Sequence, residues 1–187
     1  MNELVQLHLS EAKDAMRKAV AHTEAELAKI RAGKAMPSML DSIQVDYYGS
    51  MMPLNQVSNV NTPDPRTIVV QPWEKSMLQP IEKAIMEANL GFNPQNDGSL
   101  IRISVPPLTE ERRKDLVKKI RNEAEQGKIA VRNIRKEANE KIKKLTNEHV
   151  SEDEIKIGED EVQKLTDQHI SSVDKLFEAK EKDIMTV

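Results

Sequence analysis

PPLTEERRKDLVKKIRNEAEQGKIAVRNIRKEANEKIKKL, residues Pro106 to Leu145, decides the architecture. Its two prolines stop whatever precedes them, because proline lacks a backbone donor and clashes inside a helix. No proline follows to the end of the chain. Thr109 is a candidate N-cap, and Glu110 and Glu111 stand where a helix dipole favours acids. A seam then recurs at steps of three and four: Leu116, Ile120, Ala124, Gly127, Val131, Ile134, Ala138, Ile142 and Leu145. A continuous helix over this seam would run roughly 55 Å at about 1.5 Å per residue. Gly127 is the weak point, expected to cost up to about 1 kcal/mol against a better helix former.

Working outward, all nine prolines fall between Pro37 and Pro107. Upstream of them, Leu9, Ala12, Met16, Val20, Thr23, Leu27 and Ile30 form one apolar stripe that ends near Gly33. Downstream of the long seam, a turn around Gly158 is expected, followed by a third seam at Val162, Leu165, His169, Val173, Leu176, Lys180 and Ile184. Three such helices bury their seams against one another in an antiparallel bundle. Only one of the five aromatic residues, Phe177, lies outside the proline-containing middle, so the bundle must pack through aliphatic side chains.

The middle has a different period. Ile43, Val45 and Tyr47 alternate with polar neighbours before Gly49, Thr67 to Gln71 is a β-branched run, and Ile101, Ile103 and Val105 alternate again. Each reads as a strand. Ser76 and Gln79 have capping-box spacing, with Pro80 in the first turn of a helix whose face is Met77, Ile81, Ala84 and Ala88 and which ends at Gly91. The class is therefore α+β: a three-helix bundle of residues 1–33 and 107–187 with a small β/α/β domain, 34–106, inserted in it. Two covalent crossings join the parts, and Gly33, Lys34, Pro106 and Pro107 are the candidate hinges.

Net charge is −3, yet residues 109–149 carry 13 Lys and Arg against 8 Asp and Glu, and residues 150–187 carry 5 against 11. Local fields, not totals, decide whether a surface attracts a polyanion. On a helical wheel the second helix is expected to gather Lys114, Arg121, Lys128, Arg132, Arg135 and Lys143 on one flank. Arg113, Lys118 and Lys136 fall at its margins, and Glu110 is its only acid. Asp115, Glu123, Glu125, Glu137 and Glu140 are expected on the other flank. An ordinary solvated helix would interleave the two signs. Segregation leaves a cationic stripe on a rod, the footprint of a nucleic-acid contact, and arginine's planar fork suits phosphate. No aromatic residue interleaves, so contacts to the backbone of folded RNA are expected over base stacking.

Catalytic readings fail on spacing. A phosphate loop at Gly33-Lys34 would need glycine at Ala28 and Ser or Thr at Ala35. A calcium loop starting at Asp153 would place Ile155 and Ile157 at ligand positions and Lys164 at its closing glutamate. Ser151, just before it, is an N-cap candidate. The four histidines, His8, His22, His149 and His169, lack metal-ligand spacing, and no nucleophile pairs with a base. No cofactor or metal is expected, and the chain is read as not an enzyme. It has no cysteine and no apolar stretch of membrane-span length, and it begins on charged helical sequence. A soluble, unprocessed, monomeric cytoplasmic protein is expected.

PPLTEERRKDL (106–116), AVRNIRKEAN (130–139), KIRAGKAMPSMLD (29–41), DYYG (46–49) and DEVQKLTD (160–167) together resemble the ribosome recycling factor family, in order and spacing, over nearly the whole chain. The resemblance implies an L-shaped protein that acts with elongation factor G and GTP on a 70S-type ribosome. It would split the subunits after termination and free messenger and transfer RNA. It also implies contacts to large-subunit ribosomal RNA through Arg113, Arg132 and Arg135. The competing class is a helical chaperone or protein-interaction scaffold with a β insertion. That class would leave apolar residues over beyond one stripe per helix; here the surplus feature is the arginine flank.

Overall fold

The computed structural model describes residues 2–186. It divides into two compact units, one of residues 1–32 with 110–187 and one of residues 33–109.

The first unit is a bundle of three long helices, α1 (Glu3–Lys29), α3 (Glu110–Lys144) and α4 (Glu152–Met185). Cross-helix pairs fix their directions. Glu11 meets Lys141 and Thr23 lies against Gly127, so α1 and α3 run antiparallel. Lys143 meets Glu159 and Lys128 meets Asp174, so α3 and α4 do too. One apolar cluster, with Val5, Ile142, Leu145 and Val162, fills the end where α3 turns into α4. Another, with Leu27, Ile30, Ile120 and Ile184, fills the opposite end. Between them Met16, Val131 and Val173 are buried beside two polar residues. Thr23 and Thr166 are buried, and each hydroxyl donates to the carbonyl four residues earlier, Ala19 at 3.0 Å and Val162 at 2.8 Å. That back-bonding satisfies the hydroxyls without an outside partner.

The turn between α3 and α4 is not at Gly158. It lies at Leu145–Val150, with His149 in the left-handed region at φ 63°, and α4 starts at Glu152, where the Ser151 side chain accepts the Glu154 amide at 3.3 Å. Gly158 is instead buried in α4, where an added Cβ would stand 2.7 Å from Val5 Cγ1. Glycine there lets two helices approach closely, and a packing glycine and a turn glycine look alike in sequence. Gly127 has the same role, since an added Cβ would collide with the Thr23 side chain. The expectation that a better helix former belongs there is therefore reversed. Gly127→Ala should lower the melting temperature, because overpacking costs about 1–3 kcal/mol and outweighs the propensity gain of about 1 kcal/mol. Adding Thr23→Ala should recover part of the loss. A thermal melt in which Gly127→Ala is more stable than the parent would contradict the close approach.

The second unit holds a two-stranded hairpin, β1 (Gln44–Tyr47) with β2 (Ser50–Pro53), and a four-stranded antiparallel sheet. The sheet comprises β3 (Ser58–Asp64), β4 (Thr67–Pro72), β5 (Pro94–Asn96) and β6 (Ile101–Ser104), in the order β3-β4-β6-β5. The helix α2 (Leu78–Glu87) packs on it over a core of Leu40, Ile43, Ile68, Val70, Ile81 and Ile103. The central strands β4 and β6 are the ones with clear apolar patterns. The edge strands were hidden: β3 carries Asn59, Asn61 and Pro63 and an irregularity between Asn61 and Asp64, and β5 is three residues long and starts on Pro94. Edges tolerate proline and bulges because one side needs no ladder partner. No capping box forms at α2; its N-cap is Met77 without a side-chain bond, and the preceding Lys75–Met77 is a 3₁₀ turn. Tyr47 and Tyr48 donate to the two oxygens of Glu74 at 2.7 and 3.0 Å, tying the hairpin tip to the segment after β4.

Asp97 organises the β5–β6 turn by accepting the amides of Ser99 and Leu100 at 3.0 and 2.9 Å. The Leu100 amide bond, then those from Ser99, hold its carboxyl below the ordinary value of 3.8. A depressed carboxylate stabilises the fold above its ordinary value and stops doing so as pH falls through the folded value. Asp97→Ala should thus lower stability at pH 7 and flatten its decline below about pH 4, measured by urea unfolding at several pH values. An unchanged acid limb would rule Asp97 out as a contributor.

Gly33, at φ 73°, takes a backbone conformation that suits glycine, and a Cβ on it would strike the Leu108 side chain. The two segments that enter and leave this unit therefore run side by side at Gly33 and Leu108.

Candidate nucleic-acid interface

The basic flank of α3 lies along α4, and its cations do not share one environment. At the start of α3, Lys114 pairs with Glu110 one turn earlier at 2.9 Å. Arg113 is half-buried on the seam side, its Nε enclosed without a hydrogen-bond partner. Further along, Arg121 stacks over the Phe177 ring of α4 at 5.9 Å from the centroid, and Lys128 pairs with Asp174. These two border a depression of about 430 Å³ that also presents Glu125, Asp174, Glu178 and Glu181. Two cations face four acids there, so this stretch is not a cationic surface.

The stretch from Arg132 to Lys143 differs. Arg132, Arg135, Lys136 and Lys143 border a depression of about 470 Å³ between α3 and α4 whose lining has a single acid, Glu140. Asn133, Asn139 and Gln163 supply neutral amides to its wall. Arg132 and Arg135, one turn apart, are thus brought together with two lysines, whereas Arg113, Lys114, Arg121 and Lys128 lie along the rod before them.

Glu125 corrects the wheel. It belongs to the basic flank, where its Oε1 accepts from Arg132 Nη1 at 3.0 Å. Seven residues are two turns short of only about 20°, so positions seven apart stack on one face. Glu140 was also misassigned, since it borders the Arg135 depression. The segregation of signs along α3 is partial, and its cationic part is the C-terminal half. Sequence reasoning missed Gln163 for a different reason. It comes from α4, donates to Asp167 Oδ1 at 2.8 Å and accepts from Arg135 Nη1 at 3.4 Å, and nothing on α3 points to it.

Among the described residues no group of His, Cys, Asp and Glu could hold a metal ion, and no helix is long and apolar enough to cross a membrane.

Three long helices in one unit, a small antiparallel sheet with one helix in the other, and an arginine pair on the long middle helix define a class of α+β protein with known relatives. The family model described as "Ribosome recycling factor" matches residues 23–185. The chain is 57% identical to the ribosome-recycling factor of Cytophaga hutchinsonii over 185 residues, covering 99% of this chain and 100% of that one. It is 55% identical to that of Flavobacterium johnsoniae over 187 residues, covering all of both. A solution structure of the ribosome recycling factor superposes with a TM-score of 0.68 at 41% identity over 100% of both chains. A second structure, of the T. thermophilus ribosome recycling factor and the E. coli elongation factor G bound to the E. coli post-termination complex, matches with a TM-score of 0.59 at 49% identity, covering 97% of this chain and 99% of that one. This chain belongs to the ribosome recycling factor family.

Proposed function

We propose that this chain binds the post-termination ribosome and, with elongation factor G and GTP, promotes its splitting into subunits with release of messenger and transfer RNA. The observation that carries the reading is the full-length likeness to ribosome-recycling factors at 55–57% identity, with no large segment of either chain left over. The chain acts in the cytoplasm as a monomer and is not itself an enzyme; the energy comes from the nucleotide hydrolysed by its partner.

Large-subunit ribosomal RNA is met by the C-terminal half of α3. Arg132 and Arg135 hold backbone phosphates, Lys136 and Lys143 add charge beside them, and the neighbouring amides reach sugar or base edges. Arginine pairs with phosphate through two parallel N–H donors, a stronger and more directional contact than an ammonium makes. Lys114 and Arg113 extend the contact along α3, and Arg121 and Lys128 do so at lower weight because the depression they border presents four acids. The small unit turns about Gly33–Lys34 and Pro106–Pro107, so that a force applied to it is delivered to the docked bundle. The side-by-side course of the chain at Gly33 and Leu108 supports a single axis for that motion.

Co-sedimentation with isolated large ribosomal subunits tests the first step. The chain should pellet with them in low salt and be released as salt rises, since each neutralised phosphate sheds counterions. A chain left wholly in the supernatant at low salt would end this reading.

A further inference from the structure

Three cations of the proposed RNA site, Arg132, Arg135 and Lys143, already meet acceptors of the protein itself. Arg132 donates to Glu125 at 3.0 Å, with the two side chains 45% and 51% exposed. Lys143 meets Glu159 of α4 at 3.3 Å. Arg135 has only a neutral acceptor, Gln163, at 3.4 Å. A carboxylate offers two oxygens in a plane and satisfies the same donors as a phosphate. A phosphate that takes the donors already in use on Arg132 or Lys143 must displace the carboxylate, and one that takes the remaining N–H groups sits beside it as a like charge.

We propose that Glu125 and Glu159 are built-in competitors of the RNA phosphate. They engage Arg132 and Lys143 in the free chain and cap the site's affinity so that the chain leaves the ribosome readily. This inference rests on the RNA reading of the α3–α4 face and adds to it two affinity-setting residues that are themselves acidic. An exposed ion pair shifts an equilibrium by at most about fivefold. Competition of that size tunes residence without abolishing binding. The repulsion that persists in the complex acts in the same direction and is weakened by salt.

Glutamine is the informative replacement, because it keeps an amide oxygen for the cation and removes only the charge. Glu125→Gln and Glu159→Gln should each bind isolated large subunits about two- to fivefold tighter in low salt, with slower dissociation, and the gain should shrink as salt rises. Glu137→Gln makes the same change in net charge away from these pairs and should give no comparable gain. In an Arg132→Ala background, Glu125→Gln should lose most of its effect. Unchanged or weaker binding by both glutamine variants overturns the proposal, and so does an equal gain from Glu137→Gln or a full gain without Arg132. If Arg132→Ala and Arg135→Ala bind as tightly as the parent, the RNA reading itself fails. If they weaken binding while neither glutamine variant strengthens it, only the competition is wrong.

Discussion

Alanine at Arg132 or Arg135 should weaken binding to isolated large ribosomal subunits by about tenfold each, the scale of one lost charge-assisted hydrogen bond. The fold should survive, since Arg132 is exposed and Arg135 only partly covered, and neither belongs to the buried seam. Salt dependence should become shallower at the same time. Each lost phosphate contact removes somewhat less than about one unit from the slope of log affinity against log salt. Glu137→Ala, on the far side of the same helix, should leave both affinity and slope nearly unchanged. The comparison is internal to α3: equal losses at Glu137 and at the arginines would mean that helix stability, not RNA contact, is being read. Glu140 cannot serve as a second control, because it borders the same depression as Arg135.

Locking the two units together should have a larger effect on function and little on binding. The chain has no cysteine, so an introduced pair, one in each unit, forms the only possible disulfide. Oxidised, such a protein should still bind large subunits at near the parent affinity, because the α3–α4 face is untouched. Under the proposed hinge at Gly33–Lys34 and Pro106–Pro107, it should fail to split ribosomes, because the lock blocks the rotation which that proposal requires. Reduction should restore splitting, which separates the lock from any damage done by the substitutions. A locked protein that recycles ribosomes at the parent rate would remove the hinge from the mechanism.

Much of this molecule is legible in one sequence because the two units differ in period. Leu116 to Leu145 and Leu9 to Ile30 carry long uninterrupted helical stripes, and a stripe of that length specifies a buried face almost regardless of context. The central strands around Ile68 and Ile103 are legible for the matching reason: both carry β-branched residues facing one core. What escaped was set by neighbours in space. Gly127 and Gly158 look like helix breakers, and only the Thr23 and Val5 side chains across the bundle explain them. Edge strands β3 and β5 are polar and proline-bearing because an edge permits it. The site followed the same rule. Arg132 and Arg135 stand out on α3, but Asp174 and Gln163, which decide which cations remain available, come from α4. Glu125 was legible and misplaced, since its seven-residue spacing from Arg132 already puts the pair on one face.

Light scattering from post-termination ribosomes reports splitting as it happens and bears on the central claim most directly. Scattering should fall when this chain, elongation factor G and GTP are present together, and stay constant when any one is left out. Constant scattering with all three present, at a chain concentration that saturates large-subunit binding, would contradict the account.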